Sequence, residues 1–244
     1  MVGSVRHMKL SVVIPAYNEE RTIAQVLDAV LSLDLTSSLG VEMEKEVVVV
    51  DDGSCDGTRA ILQTYCDVPE VHVIFHELNQ GKGAALRSGF AVSSGDIVII
   101  QDVDFEYDPA EYPGLLEPIV LGRADVVYGS RLSGGRPQRV YMFWHLVGNR
   151  FLTLLTNILF NSTLTDMETG YKVFRREVVE SFSLRENDFR IEPEMTAQVL
   201  RNSRLRVYEM PISYYGRTYD EGKKITWRDG AKAIRTLTRC RLGW

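Results

Sequence analysis

Short β-branched runs alternate with amphipathic stretches through the first half of the chain. Leu10–Ile14, Glu46–Val50, Val71–Phe75, Asp96–Ile100 and Ala124–Tyr128 are almost continuously apolar, the pattern of strands covered on both faces. Glu19–Leu33, Thr58–Tyr65, Gly83–Ser93 and Pro109–Leu121 lie between them and read as crossover helices. The β-α-β-α order predicts an α/β fold, a Rossmann-like doubly wound, mostly parallel sheet flanked by helices. After residue 130 the pattern changes to helical segments at about 141–160, 193–202 and 227–239, with a strand near Arg206–Pro211. No repeat, low-complexity tract or Pro/Gly/Ser-rich linker splits the sequence. Residues 1–244 therefore read as one domain with two halves, 1–130 and 131–244.

In such a sheet the ligand site lies beyond the carboxyl ends of the strands. Pro15-Ala-Tyr-Asn-Glu19 follows the first strand, Asp51-Asp-Gly-Ser54 the second, Asn79-Gln-Gly-Lys-Gly83 the third and Asp102-Val-Asp-Phe-Glu106 the fourth. All four loops are expected on one rim.

Asp102 and Asp104 are one residue apart, so an extended chain would point both carboxylates to one side. Two like charges held that close call for a cation. Oxygen ligands select Mg2+ or Mn2+, and such ions bridge protein carboxylates to substrate phosphates; Glu106 is a candidate third ligand. The competing reading is a helix cap by Asp102 or Asp108. Asp51 and Asp52 pose the same choice: a turn capped by Ser54 or Asp56, or carboxylates that accept hydrogen bonds from a base or ribose. Gly81-Lys82-Gly83 puts permissive backbone and a cation at a helix start, suited to an anion through exposed amides and the helix dipole. Its spacing is neither that of a phosphate-binding loop nor, after the third strand, that of a dinucleotide fold. Arg217, Lys223 and Lys224 lie in a polar, glycine-containing loop that is either solvated surface or a cover bringing cations to a diphosphate. The histidines lack ligand spacing, and no nucleophilic triad motif appears.

Composition narrows the classes. The 244 residues are 45% hydrophobic and 25% charged, with a net charge of -5, which disfavours disorder, collagen and coiled coil. Three cysteines, Cys55, Cys66 and Cys240, form no CxxC pair and support neither a disulfide framework nor a zinc site. The first nine residues lack the apolar stretch of a signal peptide, and Met8 is a candidate start behind a short leader. The expectation is a cytoplasmic protein, at most peripheral at the cytoplasmic face of the membrane. Charge is uneven: residues 217–244 hold eight Lys/Arg against three Asp/Glu, a tail suited to anionic lipid or phosphate. Overall acidity and the absence of a recognised motif argue against nucleic acid. The apolar run Tyr141–Phe160 carries His145, Asn149, Arg150 and Asn157; it is too polar to span a bilayer yet apolar enough for a lipid interface, a core or a homodimer contact.

Seven segments in order then carry a family resemblance: Val13-Ile-Pro-Ala-Tyr-Asn-Glu-Glu20, Val49-Val-Asp-Asp-Gly-Ser54, Asn79-Gln-Gly-Lys-Gly-Ala84, Gln101-Asp-Val-Asp104, Gly129-Ser-Arg131, Thr165-Asp-Met-Glu-Thr-Gly-Tyr-Lys172 and the Tyr214–Lys224 loop. Together they resemble the family 2 glycosyltransferases of GT-A fold, most of all the dolichyl- or polyprenyl-phosphate mannose and glucose synthases. The resemblance implies an inverting, metal-dependent transfer of a hexose from a nucleotide-diphosphate sugar of the GDP-mannose or UDP-glucose type to polyprenyl or dolichyl phosphate. Residues 1–130 would be the nucleotide-sugar half and 131–244 the acceptor half, with an interfacial helix and a basic C-terminal helix. Pro15, Ala16, Tyr17, Glu19, Asp51 and Asp52, with Gly81 and Lys82, would surround the nucleotide. Asp102 would approach the ribose or the metal, and Asp104 with Glu106 would hold the divalent ion. Arg131, Arg217 and Lys223 or Lys224 would meet phosphates. A lipid phosphate is already anionic, whereas a hydroxyl acceptor needs a base such as Asp166, Glu168 or Glu194. Transfer to a soluble hydroxyl is the alternative; more remote are a nucleotidyltransferase and a noncatalytic nucleotide-sugar binding module.

Overall fold

The computed structural model describes residues 7–140, 142–216 and 227–243. Seven strands form one sheet in the order β3-β2-β1-β4-β6-β5-β7. They are β1 (His7–Ala16), β2 (Glu42–Asp51), β3 (Val71–Phe75), β4 (Ile97–Ile100), β5 (Val126–Ser130), β6 (Lys172–Arg175) and β7 (Val207–Pro211). β1 pairs in parallel with β2 and β4, β2 with β3, and β5 with β7, while β6 runs antiparallel between β4 and β5.

Residue parity explains why the strands read as unbroken apolar runs. Leu10, Val12, Ile14, Val47, Val49, Ile97 and Ile99 face one core, packed by Ile23, Val26 and Leu27 of α1 (Ile23–Ser32) and Leu115, Leu116 and Ile119 of α5 (Tyr112–Val120). The alternate residues Val13, Val48, Val98 and Ile100 face a second core. There they meet Leu86 and Phe90 of α4 (Lys82–Val92) and Ile191, Met195 and Val199 of α8 (Ile191–Arg201). Successive side chains of a strand point to opposite faces, so a sheet covered on both sides needs both parities apolar.

The first helix starts later than its periodicity predicts. The Glu19 backbone N–H donates to Thr58 Oγ1 and that of Glu20 to Asp56, joining this turn to the start of α3 (Thr58–Gln63). The Glu19 carbonyl accepts from Thr22 and Ile23, and the helix runs from there. Two short helices, α2 (Leu35–Leu39) and α7 (Arg176–Glu180), and the strand β6 complete the core fold. At the far end α6 (Phe143–Phe160) and α9 (Trp227–Leu242) pack with α8 around Leu152, Ala197, Ala233 and Leu237. No helix among the described residues is long and apolar enough to cross a membrane.

Candidate active site at the carboxyl rim

The loops after β1, β2, β3 and β4 gather at one end of the sheet. The Asp52 N–H donates to the Ala16 carbonyl, tying the first loop to the second. The Asp52 carboxylate ties the second to the third: Oδ1 accepts from Gln80 N at 3.0 Å and Oδ2 from Gly81 N at 2.7 Å, while Oδ1 also lies 2.7 Å from His76 Nδ1. Gly53 has φ +72, and a Cβ there would lie 2.5 Å from Asn79 N; this close approach of two loops is what glycine permits. The neighbouring Asp51 has no exposed surface and accepts from Ser54 N at 3.1 Å and Arg59 Nε at 2.8 Å. Both aspartates thus build the rim, and Asp56, which accepts from Thr58 N, serves the start of α3. Pro15 closes β1 beside Ala16, and Tyr17 next to them is partly exposed.

Gly81 and Lys82 open α4, but the amides of Gly81, Gly83 and Ala84 are spent internally. Gly83 N and Ala84 N both donate to the Asn187 carbonyl, and Gly81 N to Asp52. The cation of Lys82 is what the motif offers an anion. Its Nζ lies 2.8 Å from Asp102 Oδ1 and 2.9 Å from Glu192 Oε1. Burial works against the charge, but these two carboxylates hold the ammonium above its ordinary range.

The chain does not stay extended through Asp102 and Asp104: a turn begins at Val103, and Phe105 has φ 54. Asp104 Oδ1 accepts from Glu106 N at 3.2 Å. Glu106 instead accepts from the Tyr214 hydroxyl at 2.6 Å. Among the described residues no three His, Cys, Asp or Glu side chains gather as a metal cluster. The donor set nevertheless fits a hard divalent ion, since Mg2+ and Mn2+ are commonly held by one or two carboxylates plus substrate phosphates. Asp102 and Asp104 are oxygen donors of that kind; Asp108, which accepts from Ala110 N, is the cap of the 3-10 turn Pro109–Glu111.

Opposite lies Arg131, just beyond β5. Its Nε and Nη2 form a two-point pair with Asp166 at 2.6 and 2.7 Å, and its backbone N–H donates to the same carboxylate. Asp166 has no exposed surface and accepts a fourth bond from Asn149 Nδ2 on α6. Burial would raise the Asp166 carboxyl, but Arg131 holds it below its ordinary range. That makes Asp166 a poor proton acceptor and a firm anchor for the Arg131 cation, which also lies 5.0 Å from the Tyr214 ring centroid. Two residues on, burial pushes Glu168 up to about 7, and among the described residues its buried Oε1 has no hydrogen-bond partner. Glu194 is elsewhere: Oε2 accepts from Arg185 N and Glu186 N, holding the loop before α8. Arg217, Lys223 and Lys224 lie outside the described residues.

Two site residues escape sequence reasoning. Lys172 has no exposed surface and donates to Glu192 Oε2 at 2.5 Å and to the Thr169 carbonyl; Glu192 joins it to Lys82. Their only signals are the place of Lys172 at the end of the Thr165–Lys172 segment and the charge of Glu192 on a buried helix face.

Known glycosyltransferases resemble the chain in sequence and fold. The chain is 28% identical over 218 residues to the dolichol-phosphate mannosyltransferase of Pyrococcus furiosus, covering 88% of this chain and 59% of that protein. It is 30% identical over 233 residues to the undecaprenyl-phosphate mannosyltransferase of Micrococcus luteus, covering 88% and 87%. The polyprenol monophosphomannose synthase of Mycolicibacterium smegmatis is 29% identical over 211 residues, at 83% and 76% coverage. The chain spans less than two thirds of the length of several such relatives. Among solved structures, glucosyl-3-phosphoglycerate synthase of Mycobacterium tuberculosis, crystallised with Mn2+, UDP and phosphoglyceric acid, shares the GT-A fold at TM-score 0.69 and 21% identity, covering 97% of this chain and 79% of that one. The family profile described as Glycosyl transferase family 2 matches residues 11–182, and the chain belongs to that family.

Proposed function

We propose that the protein transfers a hexose, with inversion at C1, from a nucleotide-diphosphate sugar to polyprenyl or dolichyl phosphate. The observation that carries the lipid acceptor is the helix α6. Asn149 on its inner side reaches Asp166 in the site, while Trp144, Val147, Phe151, Leu154 and Ile158 stand exposed along its outer side. Their spacing of three and four residues makes one apolar stripe. From residue 132 to 165 the sequence has Arg136, Arg139 and Arg150 and no acidic residue, and Lys232, Arg235 and Arg241 are exposed on the adjoining α9. An apolar stripe with basic flanks suits the surface of an anionic bilayer. Lipid phosphates of several related enzymes' names support the same acceptor class.

In this reading Asp102 and Asp104 would hold the divalent ion, which would offset negative charge on the diphosphate. Lys82 and Arg131 add positive charge beside it, and Asp166 keeps the Arg131 guanidinium oriented. The bond from C1 to the diphosphate oxygen breaks as an acceptor phosphate oxygen bonds to C1 from the opposite face. The nucleoside diphosphate leaves with the electron pair. The acceptor is already an anion, so no proton has to be removed.

A hydroxyl acceptor is the second reading, favoured by Glu168: its unpartnered Oε1 and raised carboxyl would suit a proton acceptor at neutral pH. The test is incubation of the purified chain with GDP-mannose or UDP-glucose, Mn2+ and a polyprenyl phosphate in detergent. Labelled sugar should pass into the organic phase, and Asp104→Ala should reduce this by about a thousandfold or more. Label confined to water-soluble product would replace the lipid acceptor with the hydroxyl reading.

A further inference from the structure

Four charged side chains from four parts of the fold form one line at the rim. Asp102, after β4, pairs with Lys82 at the start of α4; Lys82 pairs with Glu192 on α8, and Glu192 with Lys172 on β6. Signs alternate along the line. Its inner end is sealed, with Lys172 fully buried 5.2 Å from the Tyr128 ring centroid. Its outer end is open: the side chains of Lys82 and Asp102 are 14% and 19% exposed. A buried line of this kind is held together by mutual compensation, so that loss of one member leaves its neighbour charged and unpaired.

The line ends on Asp102, one of the carboxylates fitted to a divalent ion. A cation at 2.8 Å from Oδ1 and a metal on that carboxylate oppose each other electrostatically. We propose that Lys82 is the resident counter-ion of Asp102, that Glu192 and Lys172 are positioning residues which hold it there, and that the divalent ion takes Asp102 when a nucleoside diphosphate draws the Lys82 charge to itself. Metal and nucleotide therefore bind together, and metal alone binds weakly. The inference rests on the nucleotide-sugar reading above.

The test is Mn2+ binding to the full chain, read by the electron paramagnetic resonance signal of free Mn2+, with and without UDP or GDP. The wild type should bind Mn2+ alone weakly and more tightly with the nucleoside diphosphate. Lys82→Gln should bind Mn2+ alone on the order of tenfold more tightly than the wild type, in the range of ordinary coupling between two ligands. Lys82→Arg, which keeps the charge, should match the wild type. Glu192→Gln leaves Lys82 to Asp102 alone and should bind Mn2+ about fivefold more weakly. Damage to the fold would weaken binding in both neutralised variants, so the opposite signs carry the result; circular dichroism checks folding, and if Lys82→Gln does not fold, the weakening in Glu192→Gln against the unchanged Lys82→Arg decides. Unchanged or weaker Mn2+ binding in folded Lys82→Gln, with the wild type still binding Mn2+ and nucleotide together, would overturn the inference. A wild type that binds neither ligand in any combination would instead remove the nucleotide-sugar reading beneath it.

Discussion

At Gly170 one methyl group separates packing from chemistry. A Cβ there would collide with Asp102 Oδ2 and approach the Tyr107 ring at 3.0 Å. The Gly170 N–H donates to the Tyr107 hydroxyl, so the backbone is fixed and Asp102 is the group free to yield. Gly170→Ala should cost about 1–3 kcal/mol of stability, as overpacking does, and lower kcat/KM by about a hundredfold, the effect of a misplaced site group. Thermal unfolding and turnover measured on the same sample check it; loss of stability with full turnover would take Asp102 out of the chemistry. Arg131 and Asp166 make the complementary case. Asp166→Ala leaves a buried guanidinium without its carboxylate and should cost about 3–5 kcal/mol in urea unfolding. Arg131→Met with Asp166→Ala should cost less than the two single changes together, because the orphaned charge is gone. The Asp-x-Asp spacing after the fourth strand brought out Asp102, and the family resemblance brought in Asp166 and Glu168 as candidate bases. Neither could tell the anchor Asp166 from Glu168, since that depends on Arg131 arriving from the end of β5.

Among elements, α6 is the clearest meeting of sequence and structure. Its inner residues Leu152, Thr153 and Thr156 are buried while its outer stripe is exposed, so replacing outer residues costs the fold little. Phe151→Ser with Ile158→Ser should leave thermal unfolding nearly unchanged. The same pair should reduce co-sedimentation with phosphatidylglycerol vesicles by at least about tenfold, from the loss of two apolar insertions. Equal sedimentation of variant and wild type would separate this face from the lipid. The range of α6 was legible because an apolar run of that length has few other uses. β6 was not: Lys172-Val-Phe-Arg175 begins and ends on a cation, which reads as surface until Glu192 and the carbonyls of Ala124 and Ile119 are seen to take those charges. The short α2 is hidden for a different reason. Its five residues carry too little periodicity, and it is set by Asp34 accepting from Ser37 N at one end and Gly40 at φ 66 at the other.

For the molecule as a whole, the parity of the strands made the doubly wound sheet readable, while stability against pH depends on charges that only the fold assembles. Glu46, across the sheet from the rim, is one of the acid-side groups, with Asp125, Asp166 and Glu192 among the others held low. Despite burial, bonds from Lys9, Ser11 and Ser94 lower the Glu46 carboxyl from 4.5 to about 2. A lowered carboxyl stabilises the folded chain above its unfolded value, and that contribution is lost as pH falls from about 4.5 towards 2. Glu168 acts in the opposite sense. Burial raises its carboxyl to about 7, so the stability of its protonated form is complete below about 4.5 and is lost as pH rises through 7. The two together predict a maximum of stability near pH 4.5–5 with a decline on both sides, each limb on the order of 1–2 kcal/mol after solvent screening. Glu46→Gln should make the acid limb shallower and Glu168→Gln the neutral one, in urea unfolding repeated from pH 3 to 8. If Glu168→Gln leaves the neutral limb as steep as before, the Glu168 carboxyl is not raised in the folded protein and is already ionised well below pH 7, and the hydroxyl-acceptor reading loses its raised base as well.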